Sequence, residues 1–318
     1  MIETLLACGR RAGAPVNVND VNVDSKLMAI SAGIAEYNTA SLGLSGSMPT
    51  STAAMVIGYW DGLLYVVKAD GVYKHDAGTL ALVGKTAWAG RTIPLNTSSY
   101  LHKGVLYFGQ GRGKTGVIEA LDLRTGAYKQ YPNLPYYYGA IYADDTYVYS
   151  IGNIYQSTGF SPNYIRRCRH DGTTWENVLC SGTFAHGFSG ADATLVGDEV
   201  WITGGGSVTA GSDTDGAQYT DVHKVNLSTW TISKVTVASP GMRNYDMASC
   251  FWKNLIYSVR PSAAAVDRYS ATNSTATASS AGGTSVYHQP CLRVGDLFFY
   301  LAGYNASTIY RYKLSLGL

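Results

Sequence analysis

The stretch WDGLLYVVKADG, residues 60–71, carries the pattern that decides the fold. It opens with a turn at Asp61-Gly62, continues with an apolar and aromatic run, and ends in a second turn at Asp70-Gly71. A short run rich in Val, Leu and Tyr between two Gly/Asp turns is typical of a β-strand. The apolar residues before the first turn, MVIGY at 55–59, supply the partner strand of a hairpin.

The same pattern recurs along the whole chain. Its further copies are HKGVLYFGQG (102–111), ADDTYVYSIGN (143–153), VGDEVWITGGG (196–206), WKNLIYSVRP (252–261), VGDLFFYLAGY (294–304) and a weaker VDSKLMAISAG (23–33). The aligned anchor residues are Met28, Tyr65, Tyr107, Tyr149, Trp201, Tyr257 and Phe299. They lie 37 to 56 residues apart, and the distance across the two chain ends falls in the same range. Four short strands per unit, repeated at this period, are the signature of a β-propeller.

The repeats predict an all-β protein that forms one domain over residues 1–318, a seven-bladed β-propeller of four-stranded antiparallel blades. The last copy ends after its third strand, so we expect an N-terminal strand around Ile2–Cys8 to pair with it and close the ring. Such pairing leaves no long exposed strand edge. The predicted blades span about 10–46, 50–84, 92–132, 136–182, 186–238, 243–283, and 286–318 together with 1–9.

Two features of the repeats resemble those of kelch-type propellers. Gly204-Gly205 ends the second strand of one repeat, and Trp230 opens its fourth strand. The other copies have lost the diglycine, for example at Lys68-Ala69 and Arg260-Pro261. The resemblance implies a propeller fold over nearly the whole chain. It says little about function, because propellers of this type include both binding proteins and enzymes.

The composition excludes several classes of protein. Charged residues make up 14% and the net charge is +2, against roughly 25% charged residues in an average soluble domain. A nucleic-acid-binding protein would show a basic excess, and a disordered chain would be rich in charge and poor in aromatics. Tyrosine is abundant instead, with 25 residues. Surfaces rich in Tyr, Ser, Gly and Asn are typical of adaptable recognition surfaces.

The cysteines and the N-terminus indicate the compartment. The five cysteines are scattered and include no CxxC pair, which predicts free thiols rather than disulfides or zinc ligands. No apolar run approaches a membrane span, and MIETLLACGRR lacks the features of a secretion signal. We therefore expect synthesis in the cytoplasm without a signal peptide.

Function is expected at one face of the ring, where the loops between second and third strands and the segments between blades collect. The candidate binding residues on this face are Trp88, Arg91, Tyr137, Tyr155, Phe160, Arg243, Tyr245, Tyr287 and His288. Tyr offers a flat apolar face with a hydroxyl, and Arg offers a planar set of donors, so together they suit planar, polar ligands. The alternative interpretation is that these aromatics pack between blades.

No catalytic constellation, cofactor motif or metal-ligand spacing stands out, since the six His residues form no HxH or HxxxH pair. We expect a non-catalytic recognition or assembly module that works in a larger assembly. Its partners would be other structural proteins or a surface glycan. Its composition resembles that of virion proteins, such as a phage tail, fibre-associated or capsid-surface protein. Two alternatives stay open: a kelch-like sugar-processing enzyme (epimerase, glycosidase or lyase), and a cytoplasmic adaptor that binds acidic peptides through Arg91 and Arg243.

Overall fold

A computed structural model shows an all-β protein. The structure describes residues 39–43, 55–79, 81–88, 97–109, 116–135, 139–152, 154–155, 159–160, 163–185, 187–188, 191–203, 221–236, 249–253, 255–259, 266–270, 276–279, 291–301 and 308–314. Within these ranges every regular element is a strand. No helix in the described residues has the length and apolar character to cross a membrane.

The described strands form six four-stranded antiparallel sheets, four of them built from consecutive strands. The first sheet holds β2 (Met55–Trp60), β3 (Leu63–Lys68), β4 (Gly71–Asp76) and β5 (Leu82–Ala87). The second holds β6 (Ser98–His102), β7 (Val105–Gly109), β8 (Ile118–Asp122) and β9 (Tyr128–Gln130). The third holds β10 (Ala140–Ala143), β11 (Tyr147–Ile151), β14 (Tyr164–Arg169) and β15 (Glu176–Leu179).

The remaining sheets repeat this order. The fourth sheet holds β16 (Asp192–Val196), β17 (Glu199–Thr203), β18 (Asp221–Asn226) and β19 (Thr231–Thr236). The fifth holds β20 (Ser249–Trp252), β21 (Leu255–Val259), β22 (Val266–Ser270) and β23 (Ala276–Ser279). The sixth holds β24 (Cys291–Val294), β25 (Leu297–Leu301), β26 (Thr308–Lys313) and β1 (Thr39–Gly43). A separate two-stranded sheet pairs β12 (Ile154–Tyr155) with β13 (Gly159–Phe160).

The fourth strand of the sixth sheet differs from the expected one. Thr39–Gly43 pairs antiparallel with β26, from Thr39 opposite Tyr312 to Gly43 opposite Thr308. Because β25 occupies the other edge of β26, this pairing takes the place that we expected for Ile2–Cys8. The N-terminal part of the chain thus supplies a strand to the last sheet, but from a segment about one repeat further on. Met28 and the rest of residues 1–38 lie outside the described residues.

The first strands of the six sheets lie next to one another in a propeller-like arrangement. β2 lies beside β6, β6 beside β10, β10 beside β16, β16 beside β20, β20 beside β24, and β24 beside β2. The sixth and first sheets share one apolar core, in which Leu292 and Phe299 are packed with Val56 and Leu64.

Recurring turn residues have a clear backbone role in this fold. Asp61 and Gly62 have φ values of 48° and 79°, and Lys103 and Gly104 have values of 46° and 78°. Two successive residues with positive φ form the type I′ turn, whose twist matches that of the two strands it joins. Glycine adopts this conformation without steric cost, which explains why turn-Gly recurs between first and second strands.

The repeated aromatic anchor of the second strand serves the core. Tyr65, Tyr107, Tyr149, Trp201, Tyr257 and Phe299 are all buried. Trp201 of the fourth sheet contacts Phe251 of the fifth, with ring centroids 5.1 Å apart. Several tyrosines of the described residues are therefore used for core packing.

Candidate functional site

The sequence predicts nine binding residues, and three of them, Trp88, Tyr155 and Phe160, belong to the described part of the chain. The other six lie outside it: Arg91, Tyr137, Arg243, Tyr245, Tyr287 and His288. Ligand binding by those six residues stays a prediction, and so does the binding of acidic peptides by Arg91 and Arg243.

Trp88 packs between the first two sheets. Its indole Nε1 donates a hydrogen bond of 2.7 Å to the carbonyl oxygen of Lys68. Its ring meets Tyr128 of the second sheet edge to face, with centroids 6.4 Å apart and an interplanar angle of 78°. These contacts match the alternative interpretation of the loop-face aromatics as packing residues.

Tyr155 and Phe160 lie in the enlarged loop between β11 and β14 of the third sheet. Tyr155 is paired with Gly159, and Ile154 with Phe160, in the small β12–β13 ladder. The loop therefore has regular backbone pairing of its own. Loops that carry binding residues are commonly positioned by regular structure of this kind.

The first sheet brings one row of residues together at its loop end. Met55 pairs with Lys68, Lys68 with Gly71, and Gly71 with Ala87, so four strands align at this level. The connection from β3 to β4 and the segment after β5 both leave the sheet here. This is the face on which the sequence predicts binding.

A polar cluster of four side chains lies at this end of the first sheet, and we call it the Lys68 cluster: Lys68, Asp70, Tyr73 and Lys85. Tyr73 donates its hydroxyl to Asp70 Oδ2 at 2.5 Å, and Lys85 Nζ donates to the same oxygen at 2.8 Å. The two ammonium groups, of Lys68 and Lys85, each lie 4.7 Å from the centre of the Tyr73 ring. Lys68 is only 1% exposed.

Burial and charge set the protonation properties of the Lys68 cluster. Desolvation lowers the pKa of Lys68, and the charge of Asp70 opposes that effect only in part. Desolvation raises the pKa of Asp70, but hydrogen bonds from Lys85 and Tyr73 outweigh it and leave this pKa below its usual value. The cluster thus combines the hydrogen-bonded carboxylate of Asp70 with the buried ammonium group of Lys68.

A second candidate site is a small cavity among the first strands of the sheets, which we call the channel cavity. Its polar lining consists of Ser99, Asp192, Thr194, Cys250, Cys291 and Arg293. Most of these residues stand first or second in their strands, so the cavity lies toward the loop end. Its volume is about 10 Å³, close to the minimum that one water molecule needs. Ser98 donates its hydroxyl to the carbonyl of Ala191 at 3.1 Å, which joins the second and fourth sheets beside it.

Asp192 is the electrostatic centre of the channel cavity. It borders the cavity and is half-buried, and desolvation raises its pKa well above the usual value. The charge of Arg293 and a hydrogen bond from the Ala193 amide oppose the shift. Desolvation also raises the pKa of the Cys250 thiol, so Cys250 is poorly suited to act as a thiolate nucleophile.

The residues of both sites are absent from the predicted set. Lys68 lies inside the repeated strand pattern, and the sequence predicts it as part of a strand and not as a binding residue. Asp192 and Arg293 also lie within strands, at GADATLV and CLRV, and a signal was available there. The first strands of the sheets lie next to one another, and a charge buried among them needs a partner. Within the described residues, no group of three or more His, Cys, Asp or Glu has the arrangement of a metal site.

Comparison with known proteins concerns the fold. No protein-family model matches the chain. No curated protein matches its sequence. Among solved structures, the chain is similar to that of YjhT, with a TM-score of 0.60 and 11% sequence identity, over 83% of this chain and 94% of that one. At this identity the likeness shows the fold alone, and it supports a β-propeller-like all-β architecture.

Proposed function

We propose that this protein is a non-catalytic recognition and assembly module, and that its outer strands bind other proteins of the same assembly. The carrying observation is the exposure of large apolar side chains on two outer strands. On β5, Leu82 is 47% and Val83 is 58% exposed. On β15, Leu179 is 59% exposed, and its direct partner on β14, Tyr164, is 37% exposed.

Outer strands are where this exposure matters most. A fourth strand has one edge of unpaired backbone groups, which soluble monomers usually protect with charge or proline. β5 has the sequence LVGKTA and β15 the sequence ENVL, so each carries a single charged residue. Aromatic and apolar side chains with little charge are typical of the cores of protein interfaces. The low charge of the whole chain supports the same proposal.

A viral particle is the assembly that we propose, with the protein as a tail, fibre-associated or capsid-surface component. The support is the composition, which combines low charge with abundant Ser, Thr, Gly and Tyr. The genes beside the coding sequence test this step. Capsid and tail genes there support a virion role, and a neighbourhood of metabolic genes contradicts it.

We also propose that the ring is closed and has six kelch-type blades in place of the expected seven. The sixth and first sheets share a core through Leu292 and Val56, so a further blade would have no room between them. In this proposal β1 closes the ring on β26. Removal of residues 39–43 should then lower the melting temperature sharply, and an unchanged melting temperature contradicts this closure.

Sedimentation velocity at increasing concentration tests the assembly surface. We expect the wild-type chain to associate with itself or with a co-expressed protein of its own particle. Leu179→Glu should abolish that association, because it places a charge at the centre of the Tyr164–Leu179 pair. Asn177→Glu is the matched control, since Asn177 is an exposed polar residue on the same strand. Association that is equal in wild type and in Leu179→Glu contradicts the proposal.

A sugar-processing enzyme is the second candidate, and Asp192 is the observation that favours it. A carboxyl group with a raised pKa keeps its proton to higher pH, as a general acid must. The cavity of about 10 Å³ is too small for a sugar ring. For this reason we rank the recognition module above the enzyme. Release of reducing sugar or epimerisation by the wild type, with loss in Asp192→Asn, would establish the enzyme.

A further inference from the structure

Two polar atoms of the Lys68 cluster have no hydrogen-bond partner although both are buried: Lys68 Nζ and Asp70 Oδ1. Burying such a group without a partner costs free energy. Native proteins rarely leave one unpartnered, and each exception calls for an explanation such as a water, an ion or a ligand. Here a donor and an acceptor are both unused within one cluster.

The two atoms belong to one electrostatic unit. The charge of Asp70 acts on Lys68 and raises its pKa against the effect of burial. Tyr73 connects them as well, because its ring lies under Lys68 Nζ at 4.7 Å while its hydroxyl holds Asp70 Oδ2 at 2.5 Å. Asp70 is thereby fixed through Oδ2, and Oδ1 is left as the free acceptor.

The charges restrict what can bind between the two atoms. An anion that spans Lys68 Nζ and Asp70 Oδ1 would be repelled by the carboxylate, and a cation there would be repelled by Lys68 and Lys85. A hydroxyl group fits both atoms, because its oxygen accepts from Lys68 and its proton is donated to Asp70. We propose that the Lys68 cluster is a binding site for a hydroxyl group of a neutral carbohydrate.

In this proposal a ligand reaches the two buried atoms when the Lys85 side chain moves aside. The Lys68 cluster lies at the loop end of the first sheet, in the row that aligns Lys68 with Gly71 and Ala87. Lys85 forms the solvent side: its side chain is 39% exposed, and its partner Asp70 is 40% exposed. An ion pair this exposed is weak, so a ligand displaces Lys85 at little cost. Trp88 lies beside the cluster and is anchored by its hydrogen bond to the Lys68 carbonyl.

The test is binding to an array of immobilised neutral oligosaccharides of glucose, galactose and mannose, with sialylated glycans beside them. We expect wild type to bind neutral members and Lys68→Met to bind them about tenfold to hundredfold more weakly, the loss expected for a hydrogen bond to a charged donor. Lys74→Met is the matched control. It removes the same charge from the same sheet, where Lys74 lies 5.7 Å from the Tyr65 ring centre, outside the Lys68 cluster.

Two results would overturn the inference. One is a wild type that binds no member of the array, which means that the cluster holds only water. The other is binding by Lys68→Met that equals wild type while both proteins show the same melting temperature. The assembly-deficient Leu179→Glu protein is assayed in parallel. Because β15 belongs to another sheet, this variant should bind glycan normally, so failure of the assembly proposal stays distinguishable from failure of this one.

Discussion

Two regions of the molecule contain similar polar and aromatic residues but differ in their hydrogen bonding. One is the interface between the second and third sheets, and the other is the loop end of the first sheet. At the interface, Tyr131 OH bonds His170 Nδ1 at 2.9 Å, and His170 Nε2 bonds the Asp144 carbonyl at 2.7 Å. Trp175 Nε1 donates to the Pro132 carbonyl at 2.7 Å. In the first sheet, Lys68 Nζ and Asp70 Oδ1 have no such partner.

The difference teaches where function is to be sought in a repeat protein. The network of Tyr131, His170 and Trp175 explains these side chains, because their rings fill the space between the sheets and their polar atoms are hydrogen-bonded there. The first sheet leaves hydrogen-bonding capacity unused at its loop end and apolar surface exposed on β5. Only the second region needs something from outside the chain to complete it.

The largest expected effect on stability comes from removing the Tyr107 ring from the interface between the second and third sheets. Tyr107 is buried there, stacked on His170 at 5.7 Å and tilted against Tyr131 at 6.3 Å. Tyr107→Ala should reduce the free energy of unfolding by about 3–5 kcal/mol, as for other large aromatic truncations. Urea denaturation measures it, with Tyr107→Phe as the control that keeps the ring. A loss of less than about 1 kcal/mol for Tyr107→Ala would contradict the interpretation of this interface as a well-packed core.

A smaller loss is expected when one hydrogen bond of that interface is removed. Tyr131→Phe keeps the ring and deletes the hydroxyl that bonds His170. We expect the free energy of unfolding to fall by about 1 kcal/mol. The melting temperature checks this. A variant as stable as wild type would show that the hydrogen bond from Tyr131 to His170 contributes nothing to stability.

Lys68→Met should behave in the opposite way. It replaces a buried ammonium that lacks a hydrogen-bond partner with an apolar side chain of similar length. We expect the free energy of unfolding to stay equal or rise by about 1 kcal/mol, since removing a buried charge relieves its desolvation. A loss as large as that of Tyr131→Phe would place Lys68 among the structural residues and end the contrast between the two regions.

The smallest effect is a pH dependence that Lys68 alone contributes. Desolvation lowers the pKa of Lys68 in the folded protein below 10.5, its ordinary value in an unfolded chain. At pH values between the folded and the unfolded pKa, the unfolded chain therefore binds more protons than the folded one. The free energy of unfolding of wild type should therefore rise with pH in that window. The difference between wild type and Lys68→Met separates this slope from the contribution of the tyrosines, whose pKa in an unfolded chain lies near 10. Parallel pH profiles of the two proteins would contradict a buried Lys68.

The sequence predicted the all-β class and the four-stranded antiparallel sheets because the repeated pattern reflects local strand and turn preferences. The turn at Asp61-Gly62 and the run to Lys68 became the β2–β3 hairpin and its continuation, and anchors such as Tyr107 became core. The partner of β26 was wrong because any short apolar N-terminal segment matches an open edge, and pairing across the chain ends has no local signal. Lys68 was not predicted as a site residue, since a single polar residue in a strand looks the same in the sequence whether or not its hydrogen bonds are made. Asp192 was not predicted either, although a charged residue in the first strand of a repeat was an available signal.

Hydrogen exchange of the backbone amides tests the assembly role most directly. It is measured on the associated protein and on the dissociated Leu179→Glu variant. The proposal predicts added protection in the associated state at the outer strands Leu82–Ala87 and Glu176–Leu179, with the buried strand Leu63–Lys68 unchanged. Equal exchange of the two outer strands in both states would contradict an assembly surface there.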